Sequence, residues 1–169
     1  MTLSAVRRPL NLARKSLVAL VAGAGVCLTP VPALASAPAP TATQSSSYPA
    51  APTPAAQKAV DTARAQLGKP YQYGAAGPDS YDCSGLTQYS WGAAGVSLPH
   101  SSREQSTMGT PVSRDQLQPG DLVFFYSPVS HVGIYVGNNQ VIHAPTDGDV
   151  VKYSDIDAIG NYNSARRVG

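Results

Sequence analysis

The order of two hydrophobic periodicities is the feature that most constrains the fold of this 169-residue chain. In the first part of the domain apolar residues recur at helical spacing, whereas from residue 122 onward short segments alternate apolar and polar residues, as strands do. The loops between these later segments are short, and short loops join antiparallel neighbours without crossover helices. The pattern therefore predicts an α+β fold in which amino-terminal helices pack on a meandering antiparallel sheet.

Capping signals predict three helices. The first spans residues 54–67, with Thr53 as its cap and a proline at its first position. The second begins at Cys83, with Asp82 as its cap, and ends before a glycine. A short third helix follows at Ser101, which begins an S-x-x-E capping box.

Segments rich in β-branched and aromatic residues between turn signals predict five strands. They are residues 122–126, 131–136, 140–144, 150–153 and 165–168.

Two histidines are predicted to share one face of the sheet. His131 and His143 are twelve positions apart on neighbouring strands, so they share a face only if paired positions sum to an even number. A three-residue turn at 138–140 meets this condition, whereas a two-residue turn would send His143 to the opposite face. The other face of the first strand is predicted to face the core: Val132, Ile134 and Val136.

The amino-terminal segment has the pattern of an export signal. Four basic residues precede an apolar run at 17–28, and Ala33-Leu34-Ala35 supplies a signal-peptidase site. Cleavage is expected after Ala35 rather than Ala37, because Pro38 follows the latter. The apolar run is shorter than the roughly 20 residues of a membrane span. We therefore expect residues 1–35 to be removed and the mature chain to be secreted, with no stable membrane anchor.

Residues 36–52 consist almost entirely of Ala, Pro, Ser and Thr, which predicts a disordered linker before a folded domain at 53–169. Four of the twelve basic residues and none of the ten acidic ones lie in the export segment, so the net charge of +2 becomes −2 in the mature chain. No basic stripe of the kind that binds nucleic acid is present, and no nucleic-acid partner is expected.

Cys83 is the only cysteine outside the export segment, and it is predicted to begin a helix. A helix start favours a thiolate, so the pKa of Cys83 is expected to lie below the reference of about 8.5. With His131 and His143 as candidate base and orienting partner, the three residues suit nucleophilic catalysis. Two alternatives are a buried structural cysteine and a zinc site of the same residues, although HExxH and paired CxxC spacings are absent.

Two neighbours of the cysteine are interpreted as keeping the helix start accessible. Ser84 and Gly85 are small enough to let a substrate backbone approach the sulfur. His100 lies in a loop beside Pro99 and is interpreted as a surface residue without a partner, the alternative being that it lines the cleft.

Six segments, in this order and spacing, resemble those of the NlpC/P60 family of cell-wall cysteine peptidases: residues 68–74 (GKPYQYG), 82–86 (DCSGL), 98–105 (LPHSSREQ), 117–125 (LQPGDLVFF), 131–137 (HVGIYVG) and 141–145 (VIHAP). The resemblance covers residues 55–168. It implies a papain-like fold and a cell-wall-associated monomer that hydrolyses peptide bonds in peptidoglycan stem peptides without metal or cofactor.

The resemblance also implies residue roles. Cys83 matches the nucleophile, His131 the general base and acid, and His143 the residue that orients His131. Tyr71 matches a tyrosine whose hydroxyl helps to stabilise an oxyanion with the backbone N–H of Cys83, the alternative being an ordinary cleft aromatic.

Three further substrate-binding candidates are Asp82, Ser84 and Arg103. Arg103 is placed to meet substrate carboxylates, although a solvated or fold-stabilising arginine is an equal alternative. Many relatives carry a tryptophan where this chain has Tyr73, a departure that concerns subsite shape.

Cleavage between D-glutamate and the diamino acid is the expected reaction, because many relatives cut there. Two other functions are left open: an amidase or lipid-acting hydrolase on the same fold, and a non-catalytic wall-binding module. The complete set of Cys83, His131 and His143 argues against the last.

Overall fold

The computed structural model describes residues 51–169, so the predicted export signal and all but the end of the predicted linker lie outside the described residues. This part of the chain contains four helices: α1 (Pro54–Arg64), α2 (Cys83–Ala93), α3 (Ser102–Gln105) and α4 (Ile156–Ile159). None of these helices is long and apolar enough to cross a membrane. Its six strands are β1 (Thr110–Val112), β2 (Leu122–Phe125), β3 (His131–Gly137), β4 (Gln140–His143), β5 (Lys152–Asp155) and β6 (Tyr162–Arg167).

The three predicted helix starts are confirmed by their caps. The side chain of Thr53 accepts a hydrogen bond from the N–H of Ala56, Asp82 from that of Gly85, and Ser101 from that of Glu104. The predicted end of α1 at residue 67 is wrong. The N–H groups of Gln66 and Leu67 donate to carbonyls three residues back instead of four, which ends the α-helix, and Gly68 then donates to the carbonyl of Val151.

All six strands belong to one antiparallel sheet with the order β1-β6-β2-β3-β4-β5. β2 to β5 form the predicted meander, while β6 returns to the far side of β2 and pairs there with β1. β1 was not predicted, since it has only three residues and includes Pro111, which is compatible with its place at the sheet edge. α4 was not predicted either.

The predicted position of the fifth strand of the sheet, residues 150–153, is wrong by two residues, because β5 spans Lys152–Asp155. The backbone of Val151 is used elsewhere: its N–H donates to Lys69 and its carbonyl accepts from Gly68. The strand therefore begins where pairing with β4 becomes available. The last strand, β6, begins earlier than the predicted 165–168.

Both faces of the sheet are buried. One face packs against α1 and α2, and its members confirm the predicted core face of β3: Val132 and Ile134, with Leu122, Phe124 and Ile142 from neighbouring strands. The other face carries a second apolar cluster: Val123, Phe125, Val141, Ile156 and Ala165. Ile156 is the first residue of α4, so this helix covers the face that lies away from α1 and α2.

The turn between β3 and β4 differs from the predicted three-residue turn. It has two residues, Asn138 and Asn139, whose φ angles of 52° and 61° lie in the left-handed region. Gly137 pairs with Gln140, whereas Tyr135 pairs with Val141, so one extra residue bulges from β3 between them. The bulge restores the even sum of paired positions and keeps His131 and His143 on one face.

Candidate active site

Cys83 lies at the first position of α2, where the helix leaves backbone N–H groups unpaired. Its side chain is half-buried and free of disulfide bonding. The preceding carboxylate fixes this helix start. Oδ1 of Asp82 accepts from the N–H of Gly85 at 2.7 Å and from the hydroxyl of Ser84 at 3.2 Å. Oδ2 accepts from the N–H of Gly74 at 2.8 Å, which ties the loop before the helix to the same group.

His100 completes the contacts of Asp82. Its Nε2 lies 2.8 Å from Asp82 Oδ1, and its side chain is 29% exposed. The interpretation of His100 as a residue without a partner is therefore wrong. The loop that carries it is brought back onto the α2 start by Gln105, whose side-chain amide donates to the carbonyls of Ser84 and Pro99.

Gly85 has a different role from the one its position suggested. A Cβ atom at Gly85 would overlap the carbonyl oxygen of Ala75. The same carbonyl accepts from the N–H of Asp82 at 2.8 Å. Gly85 is thus needed for the loop to pack against the helix start, and it is itself buried rather than open to substrate.

The electrostatic environment keeps the Cys83 sulfur protonated. Burial raises the pKa of the thiol, and the negative charge of Asp82 raises it further. The backbone N–H groups of Val132, Ser84 and Cys83 oppose this rise without reversing it. The expected pKa below the reference value is therefore wrong, because desolvation outweighs the helix start.

The two histidines form a direct pair. His131 Nε2 and His143 Nδ1 are 2.7 Å apart, and the rings meet edge to face with centroids 5.0 Å apart. Both are buried, with 7% and 3% of their surfaces exposed. Burial lowers the pKa of His131 to about 4, and burial together with the charges of His131 and Lys152 lowers that of His143 to about 3. Both rings are therefore neutral at pH 7.

This pairing determines which nitrogen of His131 is free. Since Nε2 is engaged with His143, Nδ1 is the nitrogen available to take a proton. On the far side, Nε2 of His143 lies 2.9 Å from the hydroxyl of Ser154. Sequence reasoning missed Ser154, since the predicted strand ended one residue before it.

The candidate residues line two adjoining parts of one cleft. The larger part, about 380 Å³, is lined by Cys83 and by polar groups that include Tyr71, Asp82, Ser84 and His100. The smaller part, about 170 Å³, is lined by His131 and His143 with Tyr126, Pro145 and Ile159. Ser130 lines both parts.

The Cys83 sulfur lies close to the start of β3, the strand that begins with His131. The backbone N–H of Val132, the residue after His131, donates a hydrogen bond to the Cys83 sulfur and so opposes the rise of its pKa. Among residues 51–169 no hydrogen bond joins the thiol to the His131 ring. Cys83 lines the larger part of the cleft and His131 the smaller part, and Ser130 lies where the two parts adjoin.

The two remaining candidates, Tyr71 and Arg103, differ in their distance from the cleft. Tyr71 is half-buried beside Cys83, where burial first and the sulfur second raise its pKa, so the hydroxyl keeps its proton and can donate. Arg103 is exposed on α3, and it lines neither part of the cleft. Within the part of the chain that the structure describes, no group of three or more His, Cys, Asp or Glu side chains has the arrangement of a metal site.

Comparison with known proteins places this geometry in context. Residues 68–167 match the sequence model of the NlpC/P60 family. The chain is 40% identical over 145 residues to a probable endopeptidase of Corynebacterium glutamicum, a match that covers 80% of this chain and 68% of the relative. It is 48% identical over 103 residues to the probable endopeptidase p60 of Listeria monocytogenes, covering 60% of this chain and 21% of p60.

A solved structure shows the same fold. The crystal structure of the NlpC/p60 domain of the peptidoglycan hydrolase SagA is 33% identical and has a TM-score of 0.62, covering 67% of this chain and 98% of that domain. The similarity confirms the predicted α+β architecture. The match thus covers nearly the whole length of the SagA domain, whereas the match to p60 covers only about a fifth of p60.

Proposed function

Because the chain belongs to the NlpC/P60 family, we propose that residues 53–169 form a cysteine peptidase that hydrolyses amide bonds in peptidoglycan stem peptides. The observation that carries this proposal is the conjunction of Cys83 at a helix start with a buried neutral histidine pair across one cleft. The relatives named endopeptidase and peptidoglycan hydrolase support the reaction and the substrate class.

The first step begins from a thiol and a neutral imidazole. His131 Nδ1 takes the proton of Cys83 as the sulfur attacks the amide carbon, so that an S–C bond forms. Taking up the proton at the moment of attack suits a site in which burial disfavours a standing thiolate. The developing oxyanion is met by the N–H of Cys83 and the hydroxyl of Tyr71.

The second step breaks the C–N bond. Protonated His131 gives its proton to the leaving amine, and a thioacyl enzyme remains. A water molecule then attacks the acyl carbon while His131 accepts one of its protons; the S–C bond breaks, and the proton returns to Cys83. Throughout, the Nε2–H of His131 donates to His143, which keeps the ring in the useful tautomer.

The two parts of the cleft suit an extended substrate. They adjoin at Ser130, so a stem peptide can pass the sulfur with one portion in each part. The bond between D-glutamate and the diamino acid is the proposed cleavage point. The mature protein is proposed to be secreted and to act at the cell wall, on the basis of the export pattern in residues 1–35.

Defined stem peptides test the proposal. The mature chain is incubated with peptides that contain one D-glutamate–diamino acid bond, and the products are weighed by mass spectrometry. We expect two products whose masses add up to the mass of the substrate plus one water, and no reaction with Cys83→Ala, whose fold is checked by circular dichroism.

A matched panel decides between reaction classes. It contains the same peptide with its other amide bonds protected, a peptide with a sugar-linked amide, and a short-chain lipid ester. Turnover of the ester or the sugar-linked amide alone would replace the peptidase with a different hydrolase, and binding of wall material without any turnover would make the domain a wall-binding module.

A further inference from the structure

His143 is held from its far side by a residue that no sequence signal identified. Ser154 lies on β5, half-buried, and its Oγ is 2.9 Å from His143 Nε2. Val141 of β4 pairs directly with Ser154, and His143 pairs with Lys152. Ser154 is therefore a diagonal neighbour of His143 on the same face of the sheet.

We propose that Ser154 is a positioning residue of the active site, acting through His143 on His131. The proposal rests on the proposed function, because it assigns Ser154 a part in the same proton transfer. In this arrangement the Ser154 hydroxyl would accept the Nε2–H of His143 across the 2.9 Å contact, and the Nδ1 of His143 would accept the Nε2–H of His131 across the 2.7 Å contact. The chain of contacts Ser154–His143–His131 thus leaves His131 Nδ1 unprotonated on the side of the cysteine.

The other tautomer of His143, with its proton on Nδ1, would leave His131 unable to act as a base. If His143 carried its proton on Nδ1, it would donate to His131 Nε2, and His131 would have to carry its own proton on Nδ1. That tautomer has no lone pair to take the thiol proton. An acceptor at Nε2 of His143 favours the productive arrangement, in the way that the outer partner of a catalytic imidazole sets its tautomer.

The surroundings of His143 leave this role to Ser154. The titratable and charged groups that act on the ring are His131 on β3, Lys152 on β5 and Asp149 in the preceding loop. Lys152 and Asp149 form an ion pair with each other at 2.6 Å. Neither makes a hydrogen bond to the ring, so within the described residues the His143 nitrogens contact only His131 and Ser154.

Nitrogen-15 NMR of the imidazole rings, combined with kinetics, tests the proposal. In the unmodified mature protein at pH 7 we expect both His131 and His143 to be protonated on Nε2. Ser154→Ala should shift part of the His143 population to the Nδ1–H form and lower kcat about five- to tenfold, with KM within about twofold, as expected for loss of one hydrogen bond. Ser154→Thr keeps the hydroxyl and should restore both readouts.

Ser164→Ala is the matched control, because Ser164 is also a half-buried strand serine but bonds only to the side chain of Asn163. It should change neither readout. Unchanged ring protonation and kcat in Ser154→Ala would overturn the proposal, and so would a loss of kcat that accompanies a lower melting temperature and is not rescued by threonine. The NMR readout needs no turnover, so it decides the role of Ser154 even if stem peptides are not the substrate.

Discussion

His131 and His143 touch across the sheet through Nε2 and Nδ1, 2.7 Å apart, because a one-residue bulge in β3 offsets a two-residue turn. Without the bulge the alternation of side chains would place the two rings on opposite faces. The contact that orients the proposed base is thus set by backbone register, several residues away from either histidine.

The role of His143 is tested by two substitutions. His143→Asn retains an oxygen that can accept from His131 Nε2–H, so we expect about a tenfold loss of kcat, roughly 1.4 kcal/mol of barrier. His143→Ala removes the acceptor and should cost about a hundredfold or more, while His131→Ala should approach the inactivity of Cys83→Ala. Steady-state kinetics on one stem peptide measure all four, and equal activity of the asparagine and alanine variants would contradict the orienting role.

The pH–rate profile should report the buried environment of His131. The base acts in its neutral form, and burial lowers its pKa to about 4. Activity should therefore persist as the pH falls through 6.5 and decline only near the lowered value. The measurement is kcat/KM between pH 3.5 and 9, with circular dichroism at each pH to confirm the fold. An acid limb at or above 6.5 would show that the ring is protonated more easily than its burial implies.

The Cys83 thiol should lose its proton only at a pH above the pKa of free cysteine. Because burial and Asp82 raise the pKa of Cys83, the rate of alkylation by iodoacetamide should keep rising beyond the pKa of free cysteine, about 8.5. Asp82→Asn is a useful comparison, since it removes the charge that raises the pKa while keeping an acceptor at the helix start. Its inflection should move to lower pH. An inflection of the unmodified protein below about 8.5 would restore the preformed thiolate.

Two glycines of α2 provide a matched stability test. Gly85→Ala should destabilise the domain by about 2 kcal/mol or more, because the new Cβ overlaps the Ala75 carbonyl oxygen. Gly92 is exposed in the same helix, and a Cβ there meets nothing within 4 Å. Gly92→Ala should instead stabilise by about 0.5–1 kcal/mol, the difference in helix propensity. Urea unfolding measures both, and similar values for the two variants would refute the packing role of Gly85.

The predicted linker is expected to be dispensable for chemistry. A shortened chain that begins at Ala51 keeps the Thr53 cap of α1, so it should fold and hydrolyse soluble stem peptides like the mature chain. Action on intact walls is expected to decline if the linker sets reach. A loss of more than about tenfold on the soluble peptide would move the domain boundary into residues 36–52.

Features that depend on neighbouring residues were predicted well. The caps at Thr53, Asp82 and Ser101 bind N–H groups three residues ahead, so their consequences can be deduced from a few letters of sequence. The placement of Cys83 at a helix start followed from the same logic. The core face of β3 followed from alternation alone.

The order of β2 to β5 was predicted, but the exact register of pairing between segments was not. The bulge in β3 and the onset of β5 reflect competition for backbone partners, including the hydrogen bonds of Val151 to Gly68 and Lys69. Ser154 and His100 acquire their partners only through such register and loop packing. The predicted direction of the Cys83 pKa shift was wrong for a related reason, because the extent of burial at Cys83 is a property of the assembled domain.

The raised pKa of the half-buried Cys83 thiol also bears on its reactions with oxidants. Oxidation of cysteine proceeds through the thiolate, and a protein that is exported, as proposed for this one, would meet oxidants without the reducing pools of the cytosol. While Cys83 keeps its proton, little thiolate is present to react with peroxides. The same burial that raises the pKa of Cys83 would thus slow the oxidation of its sulfur.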